Sequence, residues 1–91
     1  MRLKEQQDIY FSEMVRMQVS QVVPTVENLV NNLQGKEVTE SLMSLATVML
    51  ILLHKYDLSY TDVLGMADCM VFPSAKNFTI APELEEVAKK I

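Results

Sequence analysis

From Leu42 to Leu53 the chain runs twelve residues with only Ser44 and Thr47 as polar side chains. At about 1.5 Å per residue an α-helix over this stretch covers roughly 18 Å, short of the ~30 Å hydrocarbon core of a bilayer. So apolar a segment predicts a helix buried on nearly all sides, by its own chain or by a second copy. Upstream, Val15, Val19, Val22, Val26, Leu29 and Leu33 fall at spacings of four, three, four, three and four. That is a helical stripe, and the four-three rhythm is wrong for a strand. It keeps phase through Pro24, which removes one backbone hydrogen bond and crowds the carbonyl four residues earlier. The first segment, about Leu3 to Gln34, is therefore expected as one long helix kinked near Ser20 to Val23, or as two helices with Pro24 opening the second. Gly35 closes it as a helix C-cap residue would.

The remaining elements follow from their punctuation. Thr39 is placed as an N-cap with Glu40 behind it, and Val38 and Met43 stand where a hydrophobic staple needs them. This second helix is expected to run to Lys55, with His54 and Lys55 suiting its negative end. Ser41, Ser44 and Thr47 form a narrow seam of small hydroxyls along it, of the kind that lets another helix pack closely. After Tyr56-Asp57-Leu58, Ser59 and Asp62 make a capping-box pattern for a third helix over 60–71. Its apolar positions are Tyr60, Val63, Leu64, Ala67, Met70 and Val71, and Gly65 in mid-helix points to a close approach. Phe72-Pro73-Ser74 ends it, Ala75 to Ile80 reads as a loop or a brief extended piece, and Pro82 opens a last helix over 82–91. The fold class is all-α: a small bundle of about four helices in a single domain, 1–91.

Composition narrows the class further. Ninety-one residues, 49% of them hydrophobic, with two glycines and three prolines, leave room for one globular core and argue against a turn-rich β fold. Seven methionines supply adaptable filler, and the count does not separate a core from a binding surface. The net charge is −4, and the eight basic residues are scattered, so no stripe is available to neutralise a row of phosphates. Acidity gathers after Tyr56, where Asp57, Asp62, Asp68, Glu83, Glu85 and Glu86 face only Lys76, Lys89 and Lys90. A single cysteine and an N-terminal stretch without an apolar leader fit a reducing, cytoplasmic setting with no membrane association.

Candidate chemistry is sparse. Cys69 and His54 are the only soft ligand or nucleophile-and-base pair, and one of each falls short of a zinc site. No glycine-rich nucleophile turn surrounds Cys69, which reads as a small packed residue rather than a catalytic one. No phosphate loop or metal-ligand spacing occurs, so no catalytic residue, cofactor or metal is assigned. Leu52 to Met70 has the outline of a helix-turn-helix, but its second helix offers Asp62 and Asp68 where base and phosphate donors are needed.

The sequence therefore implies a small acidic non-enzymatic protein that binds, blocks or scaffolds another protein, acting as a homodimer or small oligomer. The style is that of accessory proteins of bacteria or their viruses, though no single residue carries that impression. The stripe Val15, Val19, Val22, Val26, Leu29 and Leu33 is the expected oligomer interface, because a strip about 45 Å long outruns what the short later helices can cover. Asp62 and Asp68 are the candidate contacts to a basic partner. The alternative is a small DNA-associated regulator using Leu52–Met70, which requires Lys55, Lys76, Lys89 and Lys90 to converge.

Overall fold

The computed structural model describes residues 3–74 and 79–91. Five helices account for 76% of the described residues, and no strand occurs among them. They are α1 (Leu3–Arg16), α2 (Val19–Asn32), α3 (Val38–Lys55), α4 (Tyr60–Val71) and α5 (Pro82–Ala88). The all-α class holds, with five helices in place of about four. Most of the segment expected as a loop, residues 75–78, lies outside the described residues.

The first segment divides at Met17–Gln18, not at Pro24. Gln18 is extended (φ −97°, ψ 152°) and acts as the N-cap of α2. The Gln21 side chain accepts a hydrogen bond from the Gln18 backbone N–H at 2.7 Å, satisfying one of the donors a helix start leaves free. Pro24 then sits inside α2. The bond it cannot make would run to Ser20, in the first turn, where the chain is exposed and water reaches the carbonyl. Two residues of ordinary helix propensity thus make the break while the proline is tolerated. Downstream, Gly35 adopts φ +80° after α2, as expected of a residue closing a helix.

α3 begins two residues earlier than its sequence cap suggested. Glu37 is the N-cap, and Thr39 lies inside the helix. Lys36 and Glu40 pair across one turn at 3.5 Å, both side chains about half exposed, so the pair adds little stability. The C-terminus is a Schellman turn: Leu58 N–H donates to the Leu53 carbonyl at 2.9 Å and Asp57 N–H to the His54 carbonyl at 3.2 Å. Asp57 takes the left-handed conformation this turn needs (φ 52°), as aspartate does more readily than most residues. The Asp57 backbone carbonyl and side chain both accept from Gln7 Nε2, the latter at 3.1 Å. Together with an edge-on contact between Tyr10 and Tyr56 (centroids 5.5 Å apart), this ties α1 to the end of α3.

α4 has the predicted limits, with Ser59 at the N-cap position, but the Ser59 side chain makes no cap hydrogen bond there. α5 opens at Pro82 as predicted but stops at Ala88 rather than at the chain end. It packs on α2 and is joined to α4 by a hydrogen bond from Ala81 N–H to the Val71 carbonyl at 2.8 Å. Gln34 Nε2 donates to the Lys90 carbonyl at 2.7 Å and closes the same contact. The core is correspondingly small: Val30, Leu53, Ala81, Leu84 and Val87 are the buried apolar residues, and no described side chain is wholly enclosed.

Candidate interaction surface

The apolar helix is where sequence and structure part. α3 is not enclosed by its own chain. Leu53 alone of its residues is buried, while Leu42, Met43, Val48, Leu50, Ile51 and Leu52 are each more than half exposed. At 100° per residue the helix has two faces. On one, Ser41, Ala46, Met49 and Leu53 are at least partly covered, while Leu42, Leu45 and Leu52 between them are exposed. That face borders an open apolar groove of about 390 Å³ whose walls include Tyr10, Met14, Met17, Met49 and Leu53. The other, through Glu40, Met43, Ser44, Thr47, Leu50, Ile51 and His54, is exposed at every position.

The excess surface can be sized. A compact monomer of this mass exposes about 5,400 Å², so the 7271 Å² observed is about 1,900 Å² too much. The radius of gyration, 14.4 Å, likewise exceeds the ~12 Å of a compact chain this long.

The expected interface stripe is divided between two helices. Val15 (69% exposed) ends up on α1 and Leu29 (46%) on α2, whereas Val19, Val22, Val26 and Leu33 are half-buried. The break at Met17–Gln18 is what removes the continuous strip. Asp62 and Asp68 are both exposed on α4. Asp62 stands beside an open groove of about 600 Å³, with Met14, Met66, Met70, Cys69 and Glu83.

Three expectations about α4 need correction. Cys69 is exposed rather than packed. Tyr60, Leu64 and Ala67, expected in the core, are exposed, the first two at 58% and 45%, because no described helix covers that side of α4. Gly65 mediates no close approach: a Cβ placed on it would meet nothing within 4 Å. His54 lies at the end of α3 and is not among the residues lining the groove that holds Cys69. Among the described residues no three His, Cys, Asp or Glu side chains gather in a way that would hold a metal ion.

α4 follows α3 across a short connection and carries the carboxylates Asp62 and Asp68. Of the lysines a DNA reading would gather, Lys55 lies 5.7 Å from the Tyr56 ring centroid, Lys89 pairs with Glu86 at 3.3 Å, and Lys76 is outside the described residues. At 18 residues with a mean hydropathy of 1.3, α3 is long and apolar enough to cross a membrane. No family model matches the chain, and neither a curated protein nor a solved structure resembles it.

Proposed function

We propose that this is a non-catalytic protein-interaction protein acting as a homodimer or small oligomer, with α3 at the centre of its docking surface. The observation that carries the reading is the exposed α3, on which Val38, Leu42, Met43, Leu45, Val48, Leu50, Ile51 and Leu52 are all exposed. Exposed apolar strips of this size are unstable in water and ordinarily form interfaces. Val15 on α1 and Leu29 on α2 add exposed apolar surface elsewhere on the chain, and the acidic α4 presents Asp62 and Asp68 to a basic partner.

A protein interface accounts for α3 better than a lipid one. Glu40, His54 and Lys55 stand within the helix, Ser41, Ser44 and Thr47 line it, and α1 is docked on its end through Gln7 and Tyr10. Crossing a bilayer would strip those contacts and bury the charges.

The test is the mass in solution with and without a charge on the exposed face. Light scattering coupled to size exclusion should give at least twice 10.4 kDa at micromolar concentration. The Ile51→Glu variant should run as a folded single chain. A single-chain mass for the unaltered protein, or flotation with phospholipid vesicles in place of self-association, would overturn the reading.

A further inference from the structure

We propose that the groove between the end of α1 and the exposed side of α4 seats a basic amphipathic helix supplied by a different protein. The proposal rests on the protein-interaction part of the reading above, not on self-association, and gives the acidic α4 surface its occupant.

The floor of the groove is apolar and adaptable. α1 contributes Met14, Val15 and Met17 and α4 contributes Met66 and Met70, so four of the seven methionines line one hollow of about 600 Å³. Unbranched thioether chains repack around a guest, which suits a surface that accepts the apolar face of a helix.

Its rim is acidic. Asp62 and Glu83 line the groove, and at about 100° per residue Asp68 falls about 20° from Thr61, at the margin of the same α4 face. Among the described residues no Lys, Arg or His lines it. Arg16, next to the α1 wall in sequence, donates from Nε to the Ser12 carbonyl at 3.2 Å and borders another hollow. An occupant therefore meets negative charge, and Lys or Arg on its flank answers it.

Gly65 supplies an independent observation. It lines the groove between Thr61 and Cys69, small residues one turn away on either side. A Cβ on it would meet nothing within 4 Å, so packing within the chain gives no reason for a glycine there. A partner backbone approaching α4 along this row does.

The lining also selects the kind of partner. No strand among the described residues offers an edge for strand addition, no aromatic ring lines the groove to grip a proline-rich segment, and no Arg cluster awaits a phosphorylated one. A helix is the mode that remains. A second copy of this chain cannot supply it. α1, α2, α4 and α5 each carry more acidic than basic residues, and α3 balances Glu40 with Lys55.

The experiment titrates the full chain into a labelled leucine–lysine peptide of about 18 residues, patterned as an amphipathic helix and long enough to hold one. Fluorescence anisotropy reads affinity, and methionine methyl NMR reads location. Saturable binding that weakens with salt should shift the methyls of Met14, Met17, Met66 and Met70 and leave Met43 on α3 unmoved. Asp62→Lys and Glu83→Lys should each weaken binding about fivefold. Gly65→Leu should weaken it at least about tenfold while circular dichroism shows an intact fold, since the space around Gly65 is open. Gly65→Ala should stabilise the chain yet weaken the complex, a combination that a glycine without a partner would not give.

Shifts confined to Met43 and Met49 would place the peptide on α3 and overturn the proposal. Equal binding of a scrambled peptide, or of one with glutamate in place of lysine, would do the same, as would unaltered affinity in Asp62→Lys and Gly65→Leu. No saturable binding, with a mass of two chains or more, would overturn the groove proposal alone. Binding with a single-chain mass would support it and overturn self-association.

Discussion

At the scale of single residues, Gly65 shows how an unpartnered surface changes the meaning of a side chain. A glycine inside a helix costs about 1 kcal/mol against alanine, and a close neighbour ordinarily justifies it. Here its surroundings are open and its backbone is ordinary helix. Gly65→Ala should therefore raise the unfolding free energy by roughly 0.5–1 kcal/mol, read from urea melts at fixed protein concentration. Cys69 belongs to the same exposed surface. Its sequence setting, a lone thiol on an apolar helix, is that of a core residue, and only the absence of a covering helix among the described elements makes it accessible. Which residues cover α4 is a tertiary fact that no local pattern encodes.

At the scale of elements, α5 is the piece most dependent on its neighbours. Seven residues do not hold a helix in water, so its structure comes from docking Leu84 and Val87 against α2 around Val30. Leu84→Ala should cost about 2–3 kcal/mol and release the backbone amides of α5 to rapid hydrogen exchange while those of α3 keep their protection.

The elements also show what could be read in advance. The start of α5 was legible because Pro82 fits the first position of a helix, and the limits of α4 because the apolar spacing from Tyr60 to Val71 is bounded by Ser59 and Phe72-Pro73. The break at Met17–Gln18 was not. The apolar rhythm passes through it in phase, neither residue is a helix breaker, and Pro24 is the louder signal. What decides the break is an extended Gln18 held by the Gln21 side chain, a contact available to glutamines in many helices that do not break. Of the candidate surface, the apolar character of α3 was legible at once. Which side faces outward depends on where α1 docks, through Gln7 on Asp57 and Tyr10 on Tyr56. Those contacts join residues about fifty positions apart in the chain and leave no periodic trace.

At the scale of the whole molecule, five buried apolar residues among those described make a thin core. On the pairing proposed above, the rest of the stabilising burial lies between copies, and stability becomes a function of concentration. A tenfold rise in protein concentration should raise the thermal midpoint by about 3–5 °C in differential scanning calorimetry. A midpoint that does not move between 5 and 500 μM, on the order of the range in which such dimers dissociate, would mean that each chain is stable by itself.

The openness of α3 also bears on how long a molecule survives in a cell. A newly made chain without a mate presents eight large apolar residues of α3 to chaperones and proteases, and clearance of such chains follows the population of the open form. Synthesis below the level at which copies find one another would then be wasted, because lone chains would be removed before they accumulate. Above that level the lifetime should lengthen sharply, giving the protein a threshold in abundance that is set by its own fold.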